Sequence, residues 1–93
     1  MNNLIIAYDL NREGQDYSSL RSAIGQAGKA LKIQRSLWFV LSPHSAEHVR
    51  DFLCQYIDRN DSLAVIDPSR NTVAFYNLMN EEALKKVWGA ETV

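Results

Sequence analysis

Leu4-Ile5-Ile6-Ala7-Tyr8-Asp9 is the stretch that decides the fold. Five residues that suit a buried strand run straight into a carboxylate. The residues beyond, Leu10-Asn11-Arg12-Glu13-Gly14-Gln15, are mostly polar and include a glycine, so the strand ends at Asp9. The core anchors this acid on one side and a loop faces it on the other. An aspartate in that position either caps a turn or is an acid held at the rim of a sheet.

Working outward, Asp16 is a candidate N-cap, followed by Tyr17, Leu20, Ile24 and Ala27 at helical spacing, with Gly28 as the stop. Gly25 within this helix either weakens it or permits a close approach to the sheet. Lys29 to Gln34 alternates polar and apolar residues, as expected of an edge strand with its lysines in water. After Arg35-Ser36, the run Leu37-Trp38-Phe39-Val40-Leu41 has no polar face, so it reads as a strand buried on both sides. The two strands are too close in sequence for a crossover and form a hairpin.

Ser42-Pro43-His44-Ser45 starts a second helix, capped by Ser42 or Ser45, with Ala46, Val49, Phe52, Leu53, Tyr56 and Ile57 on one stripe. Asp58-Arg59-Asn60-Asp61 is a polar turn and Ser62 to Ile66 a fourth strand. Asp67-Pro68-Ser69-Arg70-Asn71 is a turn, Thr72 to Tyr76 a fifth strand, and Asn80 caps a terminal helix bearing Leu84, Val87 and Trp88, with Gly89 beyond.

The order β-α-β-β-α-β predicts an α+β, ferredoxin-like sandwich over one domain, residues 1–93, with residues 72–89 as a C-terminal strand-helix extension. Such a sheet has helices on one face only. Leu4 to Ala7 and Leu37 to Leu41 are apolar on both faces. The open face should therefore be covered by the terminal helix, by a second protomer, or by both, and a homodimer is expected.

The chain of 93 residues is 46% hydrophobic and 23% charged, the balance of a globular domain. One cysteine, Cys54, excludes an intrachain disulfide, and its place in an apolar helical pattern makes it a small core residue. No apolar run approaches the ~18 residues that span a bilayer. The N-terminus lacks the features of a signal peptide, so no membrane association and a cytoplasmic location are expected. A net charge of −1 argues against a strongly electrostatic nucleic-acid binder. Residues 1–42 nevertheless carry five basic and three acidic side chains, against five and eight in residues 43–93. Any nucleic acid should meet the first half.

Antiparallel pairing of the first and third strands would bring Asp9 close to Ser36 and Trp38, and would place Asp67 at the opposite end of the sheet. Magnesium takes oxygen ligands, commonly one or two carboxylates. Asp9 of a twofold-related subunit could supply the second, with Tyr8, Asn11 and Ser36 lining the cleft. Trp38, Tyr8 and Tyr17, near Arg12, Arg35 and Lys32, could stack on bases and hold phosphates. The competing reading is core aromatics with solvated charges. His44 and His48 stand four apart at a helix start; without a third ligand in register they read as solvent-facing residues.

Leu4 to Leu10, the helix that follows, Ile33-Gln34-Arg35-Ser36-Leu37-Trp38 and Asp61 to Ile66 together resemble the CRISPR-associated Cas-two family. They also resemble its stand-alone bacterial relatives, sometimes labelled SinR-like hypothetical proteins; the virulence-associated protein D toxins share the fold. The resemblance covers roughly residues 4–78 and its motifs are short and mostly structural. It implies a ferredoxin-like homodimer in which Asp9 of both subunits binds Mg²⁺ or Mn²⁺ for phosphodiester cleavage. Tyr8 matches the aromatic before that aspartate, and Ser36 and Trp38 match the serine and aromatic at the start of the third strand. The implied activity is that of a metal-dependent endoribonuclease with Asp9, Tyr8 and Ser36 as its centre and Asn11, Arg12, Arg35 and Trp38 on RNA or DNA. The alternative is a non-catalytic dimeric module that binds protein or nucleic acid. The loop after Asp9 lacks the Lys/Arg-rich run of the CRISPR proteins, and the charge and C-terminal extension also fit the stand-alone relatives better.

Overall fold

A computed structural model describes residues 1–11 and 17–87. Its elements are β1 (Asn2–Asp9), α1 (Ser18–Ala27), β2 (Lys29–Gln34), β3 (Leu37–Ser42), α2 (Ala46–Leu53), a 3-10 turn (Cys54–Tyr56), β4 (Ser62–Asp67), β5 (Thr72–Tyr76) and α3 (Glu81–Val87). The architecture is α+β. One five-stranded sheet has the order β2-β3-β1-β4-β5, and every neighbouring pair is antiparallel. None of the described helices is long and apolar enough to cross a membrane.

The period-two pattern of β1 sorts its side chains between the two faces. Leu4 and Ile6 are fully buried against Leu20, Ala23, Ile24 and Ala27 of α1 and Ala46, Val49 and Leu53 of α2. Val40, Leu63, Val65 and Ala74 join them from the other strands. Both α1 and α2 therefore cover the same face. On the other face, pairing aligns two apolar rows. Leu31, Phe39, Ile5, Ile66 and Val73 cross all five strands, and Leu37, Ala7, Ala64 and Phe75 run beside them. The C-terminal segment lies toward the β5 side of this second face, with Lys85 Nζ 5.9 Å from the Phe75 ring centroid. On the β2 side Leu31 stays 62% exposed.

Several local features differ from the sequence expectation for physical reasons. The apolar stripe of α2 does not continue as α-helix through Ile57; after Leu53 the chain tightens into the 3-10 turn. Of the two expected caps of α2, Ser45 is the one used, its Oγ accepting the His48 N–H. Ser42 is buried, and its hydroxyl donates to the Ala27 carbonyl at 2.6 Å. Cys54 is only half-buried, packed at the margin of the core. Asn80 precedes α3 with φ 59°, a left-handed conformation that asparagine tolerates. The proposed Asp16 cap, Trp88 and Gly89 lie outside the described residues.

The two glycines near the end of α1 have opposite roles. A Cβ on Gly28 would run into the Leu41 carbonyl oxygen and come within 2.9 Å of Ser42 Cα, both backbone atoms of β3. Gly25 has nothing within 4 Å, so it does not serve a close approach. Gly28→Ala should destabilise the protein by about 2 kcal/mol through forced separation of α1 and β3. Gly25→Ala should stabilise it by about 0.5–1 kcal/mol through helix propensity. Urea denaturation of the two variants checks both signs; equal shifts would contradict this packing.

Candidate functional site at the end of the first strand

Pairing places Asp9 where its surroundings can be read directly. Asp9 faces Ser62 across the β1–β4 pair, while Ala7 faces Leu37 and the Tyr8 N–H donates to the Ser36 carbonyl at 3.1 Å. The expected closeness of Asp9 to the start of the third strand is therefore observed. Asp67 lies at the far end of the sheet, paired with Thr72. The Asp9 carboxylate is exposed and makes no hydrogen bond or ion pair with a described residue.

Asp9 borders two concavities. One, of about 320 Å³, is also lined by Tyr8, Leu10, Tyr17, Arg21, Lys32, Arg35 and Ser36. Its three cations come from α1, β2 and the β2–β3 turn. Arg21 was not singled out by sequence reasoning; its only signal there is its place in the basic half of the chain. The other concavity, of about 260 Å³, lies on the opposite face and is lined by Ala7, Ser62, Ala64, Leu78 and Met79. Asp9 thus stands on a ridge with a basic cleft on one side and an apolar one on the other.

The remaining sequence candidates are mostly engaged in holding this end of the sheet. Trp38 is half-buried against the core, donates its indole N–H to Tyr8 Oη at 3.0 Å, and has Lys32 Nζ 5.9 Å from its ring centroid. The Tyr8 hydroxyl reaches the Arg35 carbonyl at 3.5 Å. Asn11 donates its backbone N–H to Asp61 Oδ1 at 2.9 Å and its amide to the Asn60 carbonyl at 2.5 Å. Ser36 and Arg35 are exposed on the turn. Arg12 lies outside the described residues.

Asp61 is the residue that a polar-turn reading undervalues. It has no solvent exposure, and its carboxylate accepts from Asn11 N–H, from Asp58 N–H at 2.7 Å and from Tyr17 Oη at 3.1 Å. A buried carboxylate persists only when such donors surround it. It therefore fixes the exit of β1, the entry to α1 and the turn before β4 as one unit.

The donor set at Asp9 suits a hard divalent cation in kind, since a carboxylate oxygen is the ligand that Mg²⁺ or Mn²⁺ takes. Asp9 supplies one carboxylate. Among the described residues no group of three or more His, Cys, Asp or Glu side chains could hold a metal ion. Cys54 offers no alternative nucleophile. Burial pushes its thiol up, the Arg50 guanidinium pulls it part of the way back and Asp51 adds to the rise, so it stays protonated at neutral pH. Comparison with known protein families, with curated proteins and with solved structures finds no match to this chain.

Removing the Asp61 carboxylate should loosen the whole rim. Asp61→Ala should cost about 3–5 kcal/mol by removing the buried acceptor that three donors share, and Tyr17→Phe about 1–2 kcal/mol. Chemical denaturation measures both losses. Faster amide hydrogen exchange at Asn11 and Asp58 in Asp61→Ala is the accompanying local signature; protection like that of the wild type would contradict this role.

Proposed function

We propose that this chain is a Cas-two-like, ferredoxin-like protein that pairs with a second copy and cleaves RNA at a metal centre built on Asp9. The observation that carries the reading is the free, exposed Asp9 carboxylate beside a cleft holding Arg21, Lys32 and Arg35. A carboxylate left unpaired at a strand end next to three cations suits a phosphodiester: the cations hold the backbone and the acid faces the reacting phosphate. The strand order β2-β3-β1-β4 with two helices on one face supports the ferredoxin-like part of the reading. The apolar rows on the other face, with Leu31 at their exposed end, support a second copy as the cover for that face.

Asp9 of each copy would hold the ion, and Mg²⁺ or Mn²⁺ bound there would supply Lewis acidity at the scissile phosphate. Arg35, with Arg21 and Lys32 of the same cleft, would position the neighbouring phosphates. Tyr8 would act on the site through Trp38, with which it shares a hydrogen bond, and Ser36 would present its hydroxyl at the mouth. A second reading, a non-catalytic dimeric module that binds nucleic acid or protein, is favoured by the single carboxylate and by the structural engagement of Asn11, Tyr8 and Trp38.

Single-stranded RNA incubated with Mg²⁺ or Mn²⁺ should be cut by the wild type and protected by EDTA. Asp9→Asn should lose at least about 100-fold in rate, the scale of one preorganised electrostatic contribution, while still retarding RNA. Leu31→Glu, at an exposed edge position, should shift sedimentation toward the monomer and lose cleavage with it. Cleavage that survives Asp9→Asn sinks the mechanism. RNA binding without cleavage in the wild type selects the second reading.

A further inference from the structure

Far from Asp9, two imidazoles are held together with no part in the reading above. His44 and His48 stack with ring centroids 4.5 Å apart and planes 16° from parallel. They share a concavity of about 310 Å³ with Gln26, Ala27, Val49 and Phe52, between the end of α1 and the face of α2. The site lies at the Asn2 end of β1, where the Asn2 amide donates to the His44 carbonyl at 2.8 Å. Seven strand steps separate Asn2 from Asp9, roughly 23 Å.

The backbone under both histidines is fixed. The His44 N–H donates to Ser42 Oγ at 3.1 Å, and that hydroxyl donates to the Ala27 carbonyl. The His48 N–H donates to Ser45 Oγ at 3.1 Å. The rings themselves are exposed, and no hydrogen bond to a described residue holds either one. Two exposed imidazoles on a rigid backbone can turn about their side-chain torsions. A cation must lie near the plane of each ring at about 2.0–2.1 Å from nitrogen. The near-parallel rings must therefore splay apart, which costs little where nothing else holds them. Gln26, on α1, lines the same concavity and would bring a side-chain amide oxygen as a third donor.

We propose that His44 and His48, with Gln26 opposite, form a binding site for a borderline divalent transition metal such as Zn²⁺ or Ni²⁺. Imidazole nitrogen selects this class over Mg²⁺ and Ca²⁺, so the site is chemically separate from an oxygen-ligand centre at Asp9. With Gln26 engaged, the metal would tie the last turn of α1 to the first turn of α2 and raise the stability of the helical layer. Metal competes with protons for the same nitrogens, so binding weakens on acidification.

The test uses the untagged chain, since a polyhistidine tag would mask the site. Zn²⁺ and Ni²⁺ are titrated while imidazole resonances are followed by NMR, with thermal unfolding in parallel. The expected result is one-to-one binding in which both ring systems shift together, with a rise in Tm. His44→Gln and His48→Gln should each weaken binding by about tenfold or more, Gln26→Ala by less, and Cys54→Ala not at all. Mg²⁺ at the same concentration should leave the rings unmoved. Zn²⁺ affinity unchanged in the His44→Gln/His48→Gln double variant overturns the proposal. So do ring resonances that stay still at millimolar Zn²⁺, or a loss on Cys54→Ala that matches the histidine variants. Because both histidines are exposed, the variants should fold, which circular dichroism checks.

Discussion

The rim of this sheet depends on a charge that water does not reach. Asp61 is fully enclosed, and its carboxylate is tolerated because donors come to it from three separate parts of the chain. Two of those donors are distant in sequence, Asn11 fifty residues away and Tyr17 forty-four, while Asp58 is three away. The carboxylate thus converts a loop end, a helix entry and a turn into a single rigid corner. Desolvating an ion is costly unless every lone pair is met, so the same requirement that makes the corner expensive makes it specific. Asp9 sits on the strand that leaves this corner, and its position is inherited from it.

Three aspartates close strands or turns here, and their environments set them apart. Asp61 is buried and surrounded by donors. Asp67 is buried too, with Oδ1 accepting from Ser69 and the Arg70 N–H, while Oδ2 has Arg70 Nε at 3.7 Å, an ion-pair contact too long for a hydrogen bond. Asp9 alone among the three is exposed and without a described partner. The first two spend their charge on architecture. The third keeps its charge for whatever enters the clefts beside it.

Much of this was legible in the sequence, because it rests on local pattern. The element order, the hairpin of β2 and β3 and the turn at Asp67 follow from periodicity and loop length, and the pairing of β1 with β3 from the fold that this order matches. What was not legible depends on distant partners. Asp61 reads as an ordinary turn residue until Asn11 and Tyr17 arrive against it. Arg21 reads as a solvated helix charge until α1 and β2 bring it beside Lys32 and Arg35. Trp38 reads first as a core aromatic and second as a stacking platform; its hydrogen bond to Tyr8 and its packing place it at the core margin. The early end of α2 was hidden because a 3-10 turn continues an apolar stripe almost as well as an α-helix does.

The outer margin of β2 carries one further consequence. Its pairing with β3 slips between Lys32 and Gln34, an irregularity of the bulge type, and Lys29 and Lys32 are exposed along it. A strand with one open edge and with Leu31 and Ile33 half or more in solvent is otherwise a template for lateral growth. A kinked, positively charged border rejects an identical strand laid alongside it. The molecule can leave apolar surface open on its flat side while its border remains closed to polymerisation.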